Sequence, residues 1–220
     1  RCDDNFIDGT HRFLRGRICE ASSWWISWRT GAFTKWKEMR ILKEATVGLI
    51  IDIQERLFPL IDGNEQLLKN VEILTEGLQI LDIPVKITEQ YPKGLGTTIQ
   101  PLKKIIGNNK VFEKMSFSCC DEKGFYDYLI EAGRGRKNII IAGIEIHVCV
   151  LQTVVDLLGK GFQPVVIYDC VSSRSAIDKK IAIQRIRSEG ALVSTYESIL
   201  FELARVSGTE DFKKISRLVK

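Results

Sequence analysis

The sequence predicts an α/β fold with three layers, in which a mostly parallel six-stranded sheet has helices on both faces. From residue 47 onward, short runs rich in branched apolar residues alternate with segments whose leucines recur at helical spacing. Most of these short runs are continuously apolar, which is typical of strands buried on both faces. Strands that alternate with helices along the chain favour parallel pairing.

Six segments are predicted to be strands, and the fourth is the most strongly apolar. They cover residues 47–53, 84–88, 110–114, 138–144, 164–168 and 192–196. A helix is expected between the first two strands, because apolar residues there follow helical spacing. They are Leu67, Leu68, Val71, Leu74, Leu78 and Leu81. Further helices are predicted from about residue 147, near 178–189, and twice at the end of the chain, the last beginning at the cap Thr209.

Composition narrows the class of protein. The chain has 220 residues, of which 45% are hydrophobic and 27% charged, so we expect one domain, or one domain with an appendage. The net charge of +4 is spread along the chain without a basic stripe, which argues against a nucleic-acid partner. Apolar stretches are near strand length, so no membrane span is expected either.

The six cysteines are placed without a regular framework. No CxxC pair occurs among positions 2, 19, 119, 120, 149 and 170, so neither a zinc ribbon nor a disulfide scaffold is indicated. Cys119 and Cys120 are expected to be packing residues, and Cys170 a core residue. A reducing, cytoplasmic location is the simplest interpretation.

Residues 1–38 differ from the rest of the chain. All four tryptophans lie there, together with five arginines, and no helical or strand period runs through the segment. We interpret it as an N-terminal extension of uncertain order and origin, and residues 39–220 as the folded domain. A tryptophan-rich partner-binding arm and a targeting remnant are the alternatives, and the latter would place the protein in a mitochondrion or another organelle.

The predicted topology indicates where a ligand would bind. Open parallel sheets bind ligands beyond the carboxyl ends of their strands, where the strand order reverses. With the order 3-2-1-4-5-6, that point lies between the first and fourth strands. Asp52 ends the first strand, and Cys149 lies in the segment after the fourth.

Cys149 has two interpretations. Free cysteine is among the most buried residue types, so it could be a structural thiol. On a helix starting near His147, however, the apolar stripe would be formed by Val148, Leu151, Val155 and Leu158, and Cys149 would point a quarter turn or more away from it. Unpaired N–H groups at a helix start would also favour a thiolate. Position alone does not decide between the two.

Asp52 and Lys114 also have structural alternatives. A carboxylate at the end of a buried strand can serve as a cap, or as a general base facing a thiol. Lys114 ends the third strand, where a solvated lysine is the default. If Lys114 instead faces the cleft, its charge would lower the pKa of the cysteine and keep Asp52 ionised.

The motifs around these residues resemble those of the isochorismatase-like cysteine hydrolase superfamily. The resemblance covers about residues 44–205 in the same order and spacing. It is carried by Asp52-Ile-Gln-Glu, Phe112-Glu-Lys114 with Ser116-Phe117-Ser118, Gly143-Ile-Glu-Ile-His-Val-Cys149-Val, and Tyr168-Asp169-Cys-Val-Ser-Ser-Arg174. Thr88-Glu-Gln-Tyr-Pro-Lys-Gly-Leu-Gly96 resembles the isochorismatase-domain-containing branch.

This resemblance implies a Rossmann-like hydrolase domain and a catalytic triad of Asp52, Lys114 and Cys149. It also implies a cis peptide bond between Ile144 and Glu145 that aims backbone N–H groups, including that of Cys149, at an oxyanion. Cysteine attack on a carbonyl would expel an amine and leave a thioester, which water then hydrolyses. Relatives usually form homo-oligomers, so a dimer or larger assembly is expected.

Departures from the family pattern restrict the chemistry. Nicotinamidases of this superfamily bind a metal through an aspartate and two histidines, but residues 89–101 contain neither residue type, and the whole chain has only two histidines. We therefore expect no metal and no cofactor. True isochorismatases lack the nucleophilic cysteine, so Cys149 argues against their chemistry.

Pocket residues are expected by position only. Gln54, Gln90, Tyr91 and Phe117 are the candidates, although a plain loop role suits Gln90 and Tyr91 as well. Glu145 would add an acid to the pocket lining.

The motifs and the departures from the family pattern leave two hypotheses about function. The leading hypothesis is a metal-independent cysteine hydrolase that acts on an amide-like C–N bond of a small-molecule substrate. The alternative is a catalytically silent relative that binds a metabolite or a protein.

Overall fold

The computed structural model describes residues 40–107, 110–131 and 135–220. The predicted N-terminal extension, with its tryptophans, Cys2 and Cys19, lies outside the described residues, so its assignment and the boundary at residue 39 stay predictions.

The described residues form a six-stranded sheet that confirms the predicted fold class. Every neighbouring pair of strands is parallel, and the order is β3-β2-β1-β4-β5-β6. The strands are β1 (Thr46–Ile51), β2 (Val85–Gln90), β3 (Val111–Lys114), β4 (Asn138–Ile144), β5 (Gln163–Ser172) and β6 (Leu192–Ser194). The strand order therefore reverses between β1 and β4, as the sequence predicts.

Helices cover both faces of the sheet. They are α1 (Asn64–Ile80), α2 (Pro92–Leu95), α3 (Gln100–Ile106), α4 (Phe125–Ile130), α5 (Leu151–Gly159), α6 (Ala176–Ser188), α7 (Tyr196–Ala204) and α8 (Glu210–Leu218). Side chains from α1, α3, α7 and α8 share one buried cluster with Ile50 of β1. Those from α4, α5 and α6 share a second with Leu49 and Ile51. Because successive side chains of a strand point to opposite faces, β1 contributes to both layers.

Helix α1 confirms the helical spacing seen in the sequence. Leu67, Val71, Leu74 and Leu78 are buried against the sheet, and Leu81 follows just after the helix. Burying each such side chain contributes roughly 1.5–3 kcal/mol. Among the residues the structure describes, no helix has both the length and the apolarity required to cross a membrane.

Several element boundaries differ from the predictions. Helices α3 and α4 were not predicted, since each is only six or seven residues long and too short to show a helical period. Strand β5 continues to Ser172 after a register shift opposite Ile141 and Gly143. Strand β6 ends at Ser194 because the Thr195 side chain caps α7. At the last helix, Thr209 Oγ1 accepts a hydrogen bond from the Phe212 N–H at 3.1 Å, which confirms the predicted cap.

The helix after β4 is built differently from the prediction. A π-helical turn, Ile146–Val150, precedes α5. From Val150 to the end of α5, the apolar residues that are completely buried are Val150, Val154 and Leu157, so the predicted stripe through Val148, Val155 and Leu158 is wrong. Val148, Val155 and Leu158 are only half-buried. The wider π turn rotates the following residues about the helix axis, and apolar residues on every side of the helix can take the buried positions.

Candidate active site

Asp52 begins the site where β1 ends. Its backbone turns out of the strand with φ of 53°, in the left-handed region that non-glycine residues rarely adopt. The carboxylate is completely buried. Its Oδ1 accepts a hydrogen bond from Thr88 Oγ1, and its Oδ2 accepts one from Lys114 Nζ, each at 2.7 Å. The buried charge is therefore paired and hydrogen-bonded, as burial of a carboxylate requires.

Lys114 is the last residue of β3, and its side chain is also completely buried. Its Nζ donates to Asp52 Oδ2 at 2.7 Å and to the carbonyl oxygens of Ser116 and Phe117, each at 3.1 Å. An ammonium has three hydrogens, so its orientation is fixed. Burial is the largest single effect and lowers the pKa of Lys114. The charge and hydrogen bond of Asp52, together with the nearby Cys119 and Cys149 sulfurs, more than offset it, so the net direction is upward. Lys114 is therefore a cation, as opposed to the solvated lysine of the alternative interpretation.

Cys149 lies on the π turn with only 4% of its surface exposed. Its Sγ donates to Gln90 Oε1 at 3.1 Å, and its carbonyl accepts from Thr153 Oγ1 at 2.7 Å. Burial and the Asp52 carboxylate raise the pKa of the Cys149 thiol well above its ordinary value, although the Lys114 ammonium opposes them.

The resting thiol is therefore protonated, contrary to the thiolate expected at a helix start. That expectation relied on unpaired N–H groups near the sulfur. In the structure, the N–H groups of Val148 and Val150 donate to the Glu145 carbonyl at 3.1 and 3.3 Å. They are occupied, so the turn offers less positive potential than a free helix N-terminus would.

Asp52, Lys114 and Cys149 come together at the carboxyl end of the sheet. Asp52 follows β1 and Cys149 follows β4, the two strands that flank the reversal of strand order. Lys114 ends β3, which is separated from β1 by β2. Both Asp52 and Lys114 act on the pKa of the Cys149 thiol, Asp52 raising it and Lys114 lowering it. The arrangement places a thiol, a carboxylate and a fixed cation in one buried group, which are the group types that covalent catalysis by cysteine requires.

The Ile144–Glu145 peptide bond between β4 and the π turn is cis. The Glu145 side chain, predicted to add an acid to the pocket lining, is paired with Arg174. Its Oε1 accepts from the Arg174 N–H at 3.1 Å and from Arg174 Nε at 3.0 Å. The carboxylate is therefore paired with a guanidinium, and its place in the pocket lining stays a prediction.

Gln54 and Gln90 have different places in the site. Gln54 is completely buried, and its amide accepts from the Gln90 N–H at 2.8 Å and donates to the carbonyls of Gln90 and Gly96 at 3.0 and 2.6 Å. It holds the backbone of Gln90 instead of facing a ligand. The Gln90 side chain contacts the Cys149 sulfur and donates to the Met115 carbonyl at 3.3 Å, so it covers the thiol.

Tyr91 and Phe117 lie outside this buried group, with 47% and 54% of their surface exposed. Tyr91 lines a cleft of about 360 Å³ together with Pro92, Lys93, Glu113, Lys114, Met115 and Glu122. Among the described residues that line this cleft, Lys114 is present, whereas Asp52 and Cys149 are not. Phe117 contributes its carbonyl to Lys114, while its ring stands at the surface.

Several residues that hold the site together were not predicted from the sequence. Thr88 lies opposite Ile51 in the parallel register, and this register is the signal that could have placed its hydroxyl beside Asp52. Thr153 Oγ1 accepts from the Cys119 N–H at 3.0 Å, which links that residue to the Cys149 carbonyl. Burial raises the pKa of the Cys119 thiol to about 12, so it is a packing residue, as expected. Cys170 is likewise completely buried in the core.

Candidate metal ligands are sparse. Within the ranges the structure describes, no group of three or more histidine, cysteine, aspartate or glutamate side chains is arranged to hold a metal ion. Glu89, the acid of the segment where nicotinamidases place their ligands, instead accepts hydrogen bonds from Thr98 N and Oγ1 at 2.6 and 2.7 Å. His147 Nδ1 pairs with Ser173 Oγ at 2.8 Å.

The parallel sheet with helices on both faces, and this buried group at its carboxyl end, define an α/β protein with a Rossmann-like fold. The comparison with protein families agrees: the profile of the isochorismatase domain matches residues 46–198. The chain belongs to the isochorismatase family.

Individual relatives cover most of the chain. A secreted isochorismatase effector, Isc1, of Phytophthora sojae is 35% identical over 184 residues, which is 82% of this chain and 87% of that protein. The solved structure of the MAR1 ribonuclease of Caenorhabditis elegans is 36% identical with a TM-score of 0.76, and covers 82% of this chain and 92% of its own. The YcaC protein of Escherichia coli, described as an octameric hydrolase of unknown specificity, shares the fold at 23% identity and a TM-score of 0.72, covering 76% and 83%.

Proposed function

We propose that this protein is a metal-independent cysteine hydrolase that cleaves an amide-like C–N bond of a small molecule through a thioester. One observation carries the proposal: the completely buried Asp52–Lys114 ion pair adjoins the Cys149 thiol. A buried ion pair is weak support for stability alone, because desolvation offsets most of the attraction. Its place beside a nucleophile favours a catalytic purpose.

In the first step, Asp52 accepts the Cys149 proton as the sulfur attacks the carbonyl carbon of the substrate. The raised pKa of the thiol means that this transfer occurs during attack and not beforehand. Lys114 stabilises the negative charge on the sulfur. We assign the developing oxyanion to backbone N–H groups near the Ile144–Glu145 peptide, including that of Cys149. The C–N bond then breaks, the leaving amine takes the proton from Asp52, and an acyl thioester remains.

In the second step, water replaces the sulfur. Asp52, again a carboxylate, takes a proton from water while the water oxygen attacks the thioester carbonyl. The C–S bond breaks, the proton returns to the sulfur, and a carboxylic acid leaves. Each turnover consumes one water and releases one amine or ammonia, so it needs neither an oxidant nor a reductant.

Burial of the site favours a small substrate. Cys149 is 4% exposed and its sulfur is covered by Gln90, so a ligand reaches the sulfur only after the Gln90 side chain moves. A polymer such as RNA would need an open groove. The name of the nematode relative still makes RNA a necessary test substrate. We also propose a homo-oligomer, as expected for the family.

The test is release of ammonia or amine from a panel of small amides by the full chain, with a short RNA oligonucleotide assayed in parallel. Hydrolysis of at least one amide is expected, with loss of activity in Cys149→Ala. Cys120→Ser alters a half-buried thiol and should retain activity. Cleavage of RNA with no amide hydrolysed would replace the proposal. Absence of both, with a folded protein, would support the silent alternative.

A further inference from the structure

The orientation of Lys114 depends on the chain segment that follows it. The carbonyl oxygens of Ser116 and Phe117 accept two of the three Nζ hydrogens, each at 3.1 Å, and Asp52 accepts the third. The ammonium therefore points toward Asp52 and Cys149 only while residues 115–117 keep these two carbonyls turned inward.

The segment itself has little buried side-chain surface to hold it. Met115 is 66% exposed and Phe117 is 54% exposed. Its later end is anchored, since Ser118 Oγ donates to Asp156 Oδ2 and the Cys119 N–H donates to Thr153 Oγ1 at 3.0 Å. The earlier end, at Met115 and Ser116, needs a different anchor.

That anchor is one oxygen of Glu122. Its Oε2 accepts hydrogen bonds from the Met115 N–H at 2.9 Å, the Ser116 N–H at 3.3 Å and Ser116 Oγ at 2.8 Å. The N–H of Met115 and the N–H and hydroxyl of Ser116 lower the pKa of the Glu122 carboxyl, so it is ionised at neutral pH. Hydrogen bonds to a charged acceptor are stronger than neutral ones.

We propose that Glu122 is a positioning residue for Lys114. Its carboxylate fixes Met115 and Ser116, these fix the two carbonyls, and the carbonyls aim the ammonium at Asp52 and Cys149. Glu122 is not itself a catalytic residue. This inference deepens the proposed function and rests on it, because the orientation of Lys114 matters only if Lys114 stabilises the sulfur.

The test is the pH profile of Cys149 alkylation by iodoacetamide, followed by mass spectrometry of the peptide that contains Cys149. Because Lys114 lowers the pKa of the thiol, a misplaced ammonium should slow alkylation at a fixed pH. Glu122→Ala is expected to reduce the rate about threefold to tenfold, corresponding to a rise of about one unit or less in the thiol pKa. Glu122→Gln, which can still accept a hydrogen bond, should lie between Glu122→Ala and the parent.

Glu113→Ala is the matched control, since Glu113 is exposed and lines the same cleft, and it should leave the profile unchanged. Lys114→Met is the reference for complete loss of the cation. In that background, adding Glu122→Ala should have no further effect. If Glu122 had only a structural role, Glu122→Ala would change the alkylation rate in the Lys114→Met background as well. Such a result would overturn the inference.

Two outcomes separate the inference from the proposed function. In the first, Lys114→Met shifts the pH profile, but the profile of Glu122→Ala is identical to that of the parent. Near-UV circular dichroism verifies that Glu122→Ala is folded. The positioning role is then wrong and the proposed function stands. If Lys114→Met also leaves the profile unchanged, both are wrong. Should Glu122→Ala fail to fold, Ser116→Ala decides: it removes one of the three hydrogen bonds, and a profile identical to the parent would contradict the inference.

Discussion

The Lys114 ammonium lies 2.7 Å from the Asp52 carboxylate, and neither side chain has any exposed surface. The partners come from β1 and β3, which are separated in the sheet by β2, so the pair spans three strands. Between them, Thr88 at the carboxyl end of β2 donates to the other Asp52 oxygen. This polar group is satisfied throughout, as a buried network must be.

Removing one partner of this pair should destabilise the protein more than removing both. Lys114→Met leaves the Asp52 charge buried without a partner, at a cost of about 3–5 kcal/mol. The double variant Asp52→Asn with Lys114→Met should therefore lose less stability than Lys114→Met alone, and much less than the sum of the two single variants. Urea unfolding of the parent, both single variants and the double variant measures this. Simple additivity would mean that the two charges do not interact in the folded protein.

The same two substitutions should have opposite effects on Cys149. The Asp52 charge raises the pKa of the thiol and the Lys114 charge lowers it. At pH 7.5, Asp52→Asn should therefore speed alkylation by iodoacetamide, and Lys114→Met should slow it, by about tenfold for each unit of pKa shift. Asp52→Asn should nevertheless abolish hydrolysis, because the proton acceptor is lost. Rate changes of equal sign would contradict the geometry of the site.

The pH dependence of the parent protein follows from the direction of the thiol pKa. Since burial and Asp52 raise it above the ordinary value, the alkylation rate of Cys149 should still be climbing at about pH 9, beyond the free-thiol pKa of roughly 8.5. A small free thiol such as glutathione in the same buffer serves as the control. A Cys149 rate that levels off near pH 7 would indicate a resting thiolate instead.

Gln90 should limit access to the sulfur. Its Oε1 accepts the thiol hydrogen at 3.1 Å, so Gln90→Ala removes both the hydrogen bond and the cover. Alkylation of Cys149 should become several-fold faster, because the loss of one hydrogen bond and of the covering side chain lowers the barrier to attack by the sulfur. Gln184→Ala, at an exposed position of α6, is the control. An unchanged rate in Gln90→Ala would show that another element controls entry.

Thr88 offers a test of how closely Asp52 must be held. Thr88→Val keeps the shape but leaves Asp52 Oδ1 without its 2.7 Å hydrogen bond, which should cost about 1–3 kcal/mol in unfolding free energy. Thr88→Ser retains the hydroxyl and should lose much less. The difference between the two variants in urea unfolding isolates the hydrogen bond. Equal stabilities would mean that the hydroxyl does not support the carboxylate.

Much of the fold could be predicted from the sequence, because burial imposes a clear pattern of apolar residues on long strands and helices. Strands buried on both faces are continuously apolar, and α1 has a single apolar face. The order of strands then brought Asp52 and Cys149 to one point. Short elements such as α3 and α4 were missed, since a single turn or two carries too little periodicity.

The details of the site could not be predicted for a different reason. The π turn changes the phase of the residues around Cys149, and no local sequence signal marks such a turn. Glu145 pairs with Arg174, which lies 29 positions further along the chain. Gln54 forms a hydrogen bond with Gln90, 36 positions away. Only the assembled sheet brings them into contact. The cluster of carbonyls around Lys114 depends likewise on the backbone path of residues 115–117.

Mass spectrometry of the intact protein, acid-quenched during turnover of the best amide in the panel, tests the central claim most directly. A cysteine hydrolase should show an added acyl group, and peptide mapping should place it on Cys149, with none in Cys149→Ala. Sustained hydrolysis by Cys149→Ala at the parent rate, with no adduct in either protein, would contradict the proposal and require a different nucleophile.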